Sequence, residues 1–274
     1  MKFDILFRRR WWLMYGPILL VAAVLLWLSY TQWLPQPPHQ ITIAAGQPGD
    51  GYTQIALRYR ERLAQVGIVA EVTTNASSDL ALQALLTEPP QAQLALVSGL
   101  HARTHLGSAQ VPKGAVHAVP NAAPALQGLA VIEREPVWVF SRTPLMTKVS
   151  ELRNMRVGIA AKDPLAKQVA DLLIQNAGLK SAEILWIEVP RTQLANDLID
   201  GKIDATIVLA SAQSDAVRVL TRSPFIQIIG LEQVGDLTQR ESRLRPFVLP
   251  QGVIEMRGDI PSRDLTMVAA DLHW

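Results

Sequence analysis

Glycines and residues with hydroxyl or amide side chains follow predicted strands at points where a small anion could bind. The turn Gly46-Gln-Pro-Gly-Asp-Gly-Tyr52 joins a predicted strand to a predicted helix. Its glycines allow close backbone approach to a ligand, and the helix offers free N–H groups and the positive end of its dipole. The turn lacks the lysine and hydroxyl of a phosphate-binding P-loop and the spacing of a dinucleotide motif. An ordinary tight turn is the alternative.

Two further groups occupy similar positions. The stretch Thr73-Thr-Asn-Ala-Ser-Ser78 ends a second predicted strand and precedes a helix, and Ser98 follows a third strand. These side chains can bind a carboxylate, but a cluster of this kind more often caps the helix. His101 and His105 are spaced to share a helix face, yet no third ligand lies nearby, so no metal or cofactor is predicted.

Strand and helix patterns alternate after residue 40, which predicts an α/β fold with mostly parallel sheets. The predicted strands are 41–45, 69–74, 93–97, 137–140, 156–160, 183–187, 205–209 and 225–229. The predicted helices are 52–65, 78–87, 165–176 and 193–200. The pattern occurs twice, which indicates two lobes with a cleft between the carboxyl ends of their strands.

The positions together resemble one family, the TAXI-type solute receptors of TRAP transporters. Residues 41–52 are similar to its opening strand and turn, and 74–78 and 94–98 to its T-x-G-S stretch and A-L-V-Q strand end. Glu135-Pro-Val-Trp-Val-Phe140 resembles its crossover strand, and Asp200-Gly-Lys-Ile-Asp-Ala205 its D-G-K-I-D-A. The resemblance implies a two-lobed type-2 periplasmic binding-protein fold, a small organic anion such as glutamate or a dicarboxylate, and TRAP membrane subunits as partners.

One departure concerns anion capture by the second lobe. The stretch 158–165 lacks the family's glycine-rich turn, and Lys162 is the substitute point charge. The candidate ligand-binding residues are Gly46, Gln47, Gly49, Gly51, Tyr52, Asn75, Ser77, Ser78, Ser98, Lys162 and Ser211.

The first forty residues have the pattern of a membrane anchor. Arg8 to Arg10 precede Trp11 and Trp12, and an apolar stretch over 13–28 follows. This predicts a single span in the inner membrane, with the N-terminus in the cytoplasm and the rest periplasmic or extracellular. A cleaved signal peptide is the alternative.

The predicted organisation has six parts, of which the last is expected to be incomplete. They are a basic tail (1–10), the anchor (11–33), a Pro-rich linker (34–40), lobe 1 (41–136), lobe 2 (137–250) and a return toward lobe 1 (251–274).

The composition of the chain disfavours nucleic-acid binding and catalysis. The net charge of +2 includes the basic tail, so the remainder is close to neutral and nucleic acid is not a predicted partner. The chain has no cysteine and no recognisable nucleophile motif, which disfavours an enzyme. Glu133-Arg-Glu135 reads as a solvated charge run, and Asp163-Pro164 as a helix cap. A solute receptor is favoured; a tethered sensor without a transport partner and an enzyme on the same fold are the alternatives.

Overall fold

The computed structural model describes residues 15, 17–30, 38–47, 50–75, 77–100, 126, 128–161, 163–256 and 258–273. The chain forms two compact units, Met1–His39 and Gln40–Trp274. In the first unit, residues 17–30 are helical. Across the described ranges, no helix combines the length and the apolar character needed to cross a membrane. Residues 11–14, 16 and 31–33 of the predicted anchor lie outside those ranges, as do Gly49, Lys162 and the histidine pair.

A small parallel sheet opens the second unit. Its strands are β1 (Gln40–Ala45), β2 (Val69–Thr74) and β3 (Leu94–Ala95), in the order β2-β1-β3. They are connected by the helices α1 (Gly51–Gln65) and α2 (Ser78–Leu86). Since β1 is the central strand, its apolar residues Ile43 to Ala45 are fully buried. The parallel sheet, both helices and the approximate strand positions confirm the prediction for this part of the chain.

The larger sheet is mixed. Its order is β10-β11-β5-β8-β6-β7, with β4 paired to β11 and β9 to β5. Its strands are β4 (Val97–Ser98), β5 (Val131–Ser141), β6 (Arg156–Ala160), β7 (Leu185–Val189), β8 (Ala205–Leu209), β9 (Gln227–Ile228), β10 (Leu244–Leu249) and β11 (Leu265–His273). Among the described strands of this sheet, only β6–β7 and β6–β8 pair in parallel. The prediction of a mostly parallel sheet is therefore wrong here, because the predicted strand 137–140 pairs antiparallel with β8 and β9, and the antiparallel strands β10 and β11 are not among the predicted ones.

Helices cover both faces of this sheet. They are α3 (Pro164–Asn176), α4 (Leu194–Ile199), α5 (Asp215–Arg222) and α6 (Val234–Arg240), with short 3₁₀ turns at Val149–Leu152 and Ser181–Glu183. Most of the buried apolar residues of α3 pack into one core cluster, and those of α4 and α5 pack into another. Helix α3 begins as predicted, since Asp163 caps it by accepting a hydrogen bond from the Ala166 amide at 3.1 Å and proline is its first residue.

Strand β5 runs past both parts of the fold. Its first half pairs with β11, and its second half pairs with β8. At its far end β11 pairs with β4, where Leu272 faces Ser98. Ile132 of β5 also packs against the core cluster that contains Ile43 and Ala45 of the small sheet.

Candidate functional site

Four loops that follow strands bring charged or hydroxyl side chains to one place. Asp50 lies after β1, Asp163 after β6, Arg191 after β7 and Ser211 after β8. Loops at the carboxyl ends of strands are the usual location of ligand sites in α/β folds. The candidate site is built around these four residues.

Asp50 is the N-cap of α1. Its Oδ1 accepts a hydrogen bond from the Gly51 amide at 2.8 Å, and only 7% of the residue is exposed. Burial raises the pKa of Asp50, because the charged form loses hydration, and the nearby Arg191 lowers it in part.

Arg191 is the cation at the centre of the site. Its Nη2 donates to Oδ2 of Asp163 at 2.6 Å, and its Nη1 lies 4.0 Å from Oδ1 of Asp50. The Arg191 side chain is only 17% exposed. Burial by itself lowers the pKa of Arg191, but the carboxylates of Asp50 and Asp163 outweigh this effect and hold it above its usual value. Arg191 is therefore charged and connects the β1–α1 loop with the loops of the larger sheet.

A second polar contact lies beneath the cap of α1. The Tyr52 hydroxyl donates to Oε2 of Glu135 at 2.6 Å, and Glu135 is completely buried on β5. Burial raises the pKa of Glu135 to about 8, with the Tyr52 hydrogen bond acting in the opposite direction. Ser98, which is fully buried, lies beside the Glu135 carboxyl group.

The β1–α1 loop also meets the loop after β8 directly. A methyl group added at Gly51 would overlap the Cβ of Ser211, so glycine is required for this approach. Ser211 donates to the Glu133 carboxylate, with oxygen distances of 2.8 and 2.9 Å, and is fully buried.

The space on one side of Arg191, called here the α3 side, is nearly filled. Its cavity measures about 20 Å³, which is room for roughly one water molecule. It is lined by Gly46, Gln47, Asp50, Tyr52, Ser77, Ser78, Asp163, Leu165, Ala166, Arg191 and Leu209. Five predicted residues are thus brought together, but around an ion-pair network instead of an open cleft.

The space on the other side of Arg191, called here the α4–α5 side, is much larger. Its cavity measures about 380 Å³. It is lined by Asp50, Arg191, Thr192, Ala195, Asn196, Val208, Ala210, Ser214, Asp215, Ala216 and Val219. None of the predicted ligand-binding residues is among them.

Several predicted residues have structural contacts. Ser77 caps α2 by accepting from the Leu80 amide at 3.3 Å, and Ser78 Oγ accepts from the Ser98 amide at 3.1 Å. The Asn75 amide group donates to the Ala45 carbonyl at 3.2 Å. The capping alternative is therefore confirmed for Ser77, and ligand binding by all of these residues stays a prediction.

Sequence reasoning missed the charged residues of the site. The interpretation of Glu135 as part of a solvated charge run is wrong, because the residue is completely buried. No motif marks Arg191, and its position after a predicted strand in the second half of the chain is the signal that could have identified it. Among the described residues, no group of three or more His, Cys, Asp or Glu side chains is arranged to hold a metal.

Comparisons with known proteins give one partial match to a family model. A family model described as NMT1/THI5 like matches residues 107–238, just under half of the chain. No curated protein matches.

Three of the solved structures that are similar to the chain serve as examples. The periplasmic aliphatic sulphonate binding protein SsuA of Escherichia coli is 11% identical, with 85% of this chain and 62% of that chain covered and a TM-score of 0.48. The alkanesulfonate-binding protein SsuA of Xanthomonas axonopodis pv. citri bound to MOPS is 13% identical (72% and 62% covered, TM-score 0.47), and a protein of Bordetella bronchiseptica RB50 is 17% identical (85% and 64% covered, TM-score 0.49). The chain thus spans less than two thirds of the length of each.

Proposed function

We propose that the chain is an extracytoplasmic solute-binding protein whose ligand, a small organic acid, contacts Arg191. The observation that carries this proposal is the buried guanidinium of Arg191 between loops that follow β1, β6, β7 and β8. A guanidinium presents five N–H donors in a planar fork that matches a carboxylate. Among the described residues, Asp163 and the Leu209 carbonyl accept two hydrogen bonds from Arg191, which leaves donors for a ligand.

The surrounding charges favour an amino acid within this ligand class. Arg191 carries one positive charge, whereas Asp50 and Asp163 carry two carboxylates beside it. A dicarboxylate would add to this excess of negative charge, and like charges in a buried site are costly. An amino acid brings an ammonium group as well, which compensates an aspartate while the ligand carboxylate contacts Arg191.

Ligand capture would act through the two proposed lobes, 41–136 and 137–250. The close approach of Gly51 to Ser211 and the ion pairs of Arg191 are contacts of a closed arrangement. A ligand that binds this arrangement better than an open one shifts the population toward it by the difference in affinity. The proposal assigns no catalysis to the site and needs no cofactor.

The cellular setting of the proposal comes from the sequence. Three arginines before an apolar stretch support a single-pass anchor with the binding domain outside the cytoplasm. The TAXI resemblance supports delivery of the ligand to TRAP-type membrane subunits. Both stay predictions of the sequence.

The experiment is thermal unfolding of the full chain, purified in mild detergent, with a panel of amino acids and dicarboxylates. We expect at least one of them to raise the unfolding temperature in a saturable way, because a ligand that binds only the folded state stabilises it. Arg191→Met should abolish the shift, and Arg191→Lys, which keeps the charge, should weaken it. Arg153→Met is the matched control, since Arg153 is 57% exposed and pairs with Glu183. No shift with any compound, or equal shifts in the wild type and both Arg191 variants, would contradict the proposal.

A further inference from the structure

The cavity on the α4–α5 side is the only one of the two beside Arg191 that can hold a small molecule as the described residues stand. Its volume of about 380 Å³ lies within the range of roughly 300–1,000 Å³ that is usual for ligand pockets. The α3 side offers about 20 Å³. A ligand that reaches Arg191 without breaking its ion pair with Asp163 must therefore lie on the α4–α5 side.

Opposite charges stand side by side at one end of this cavity. Arg191 and Asp50 both line it, and their nearest charged atoms are 4.0 Å apart. A simple carboxylate placed there would contact Arg191 but meet Asp50, and a simple amine would meet Arg191. An α-amino acid carries both charges on one carbon atom, so its carboxylate can contact Arg191 while its ammonium group contacts Asp50.

A buried hydroxyl provides a further donor at the same cavity. Ser214 lines it, is only 4% exposed, and its Oγ has no hydrogen-bond partner among the described residues. Ser214 is also the N-cap residue of α5 but makes no side-chain capping bond. A buried hydroxyl without a partner is costly, and rotation of the Ser214 side chain toward the cavity would let a ligand carboxylate accept its hydrogen bond.

Most of the remaining cavity lining is aliphatic. Small apolar side chains of α4, β8 and α5 line it, namely Ala195, Val208, Ala210, Ala216 and Val219. The polar lining residues Thr192, Asn196 and Asp215 are exposed. The walls therefore favour a ligand with a small aliphatic body.

We propose that this cavity binds an α-amino acid with an aliphatic side chain of about the size of leucine. Its carboxylate contacts Arg191 and Ser214, its ammonium group contacts Asp50, and its side chain lies between α4 and α5. This inference rests on the proposed function and adds to it the place and the chemical class of the ligand.

Recognition of the ligand's carboxylate and ammonium groups is tested by isothermal titration calorimetry of the full chain with four compounds. L-leucine carries both charges, 4-methylpentanoate lacks the ammonium group, 3-methylbutylamine lacks the carboxylate, and L-glutamate replaces the aliphatic body by a charged one. We expect L-leucine to bind at least about tenfold more tightly than each of the others, because each leaves a buried group of the site unpaired or a charge in the aliphatic part. Equal or tighter binding of 4-methylpentanoate or L-glutamate overturns the inference and leaves the proposed function standing. No binding of any acid overturns both.

The location of the ligand in the cavity on the α4–α5 side is tested with variants that fill this cavity. Ala216→Leu adds volume inside it, whereas Ala212→Leu makes the same change at an exposed residue that does not line it. We expect Ala216→Leu to weaken L-leucine binding at least about tenfold and Ala212→Leu to leave it unchanged. Val219→Trp is a second filling variant at a side chain that is 45% exposed and therefore tolerant of substitution. Wild-type affinity in both filling variants, with binding still lost in Arg191→Met, would contradict the assigned place while retaining Arg191 as a ligand contact.

Discussion

The two sides of Arg191 differ in how they are occupied. On the α3 side its guanidinium donates to Asp163 at 2.6 Å, and the remaining space is about 20 Å³. On the α4–α5 side the same residue faces a cavity of about 380 Å³ with a mostly aliphatic lining. Asp50 lines the space on both sides, whereas Asp163 lines it only on the α3 side. The comparison indicates that Asp163 holds the arginine in position, while the opposite side stays available to a ligand.

Removal of Arg191 should have the largest effect, because it affects both sides at once. Arg191→Met leaves Asp50 and Asp163 as buried carboxylates without their cation, so we expect a loss of about 3 kcal/mol in the free energy of unfolding. Urea denaturation measures this loss. The control Arg153→Met breaks an exposed pair and should cost less than about 1 kcal/mol. Equal losses in the two variants would show that Arg191 is not a special buried cation.

The contact between Gly51 and the loop after β8 is tested by substitution of Gly51. Gly51→Ala adds a methyl group where Ser211 already lies, so we expect a loss of about 2 kcal/mol, since overfilled contacts force the backbone to shift. Gly235→Ala in α6 is the matched control, because a methyl group there meets nothing within 4 Å and alanine favours a helix. Chemical denaturation of both variants should give opposite signs. A neutral Gly51→Ala would mean that the loops are not in contact.

The buried carboxyl of Glu135 should make the stability of the chain depend on pH. With a pKa of about 8 in the folded state and 4.5 when unfolded, Glu135 keeps its proton on folding at pH values where the unfolded chain has released it. Stability from this group is therefore fully present below pH 4.5, falls by up to about 1.4 kcal/mol per pH unit and levels off above pH 8.

Glu135→Gln should remove this part of the pH dependence. Denaturation curves of the wild type and the variant, recorded between pH 5 and 9, measure the difference. Parallel pH profiles would contradict the assignment. The Tyr52 hydroxyl keeps an acceptor in the variant, because the glutamine carbonyl replaces Oε2.

The smallest effect is expected for Asp163→Asn, which changes a charge on the α3 side and leaves the α4–α5 side unchanged. Asparagine caps a helix about as well as aspartate, so α3 keeps its N-cap and only the charge beside Arg191 is lost. We expect a loss of about 1 kcal/mol in stability and a few-fold tighter binding of a ligand carboxylate, since its competitor for Arg191 has gone. Calorimetry with L-leucine measures the affinity. Weaker binding would mean that the position in which Asp163 holds Arg191 contributes more to the affinity than the removal of its competing charge.

Local patterns predicted the elements of the fold better than the contents of the site. The cap and proline at 163–164 located the start of α3, and the apolar run of β1 identified a central strand. These signals act over a few residues. In contrast, the roles of Arg191 and Glu135 depend on Asp50 and Tyr52, which are distant in sequence and approach only when the chain folds. The antiparallel pairing of β11 is also a long-range feature, so the mixed sheet could not be predicted from helix and strand patterns alone.

Ligand retention is the most direct test of whether the chain binds an aliphatic amino acid through Arg191. The full chain in mild detergent is dialysed to equilibrium against a mixture of amino acids and dicarboxylic acids, and the compounds enriched on the protein side are identified by mass spectrometry. We expect the wild type to enrich an aliphatic amino acid and Arg191→Met to enrich none. Enrichment of no compound, or of the same compounds by the wild type and Arg191→Met, would contradict it.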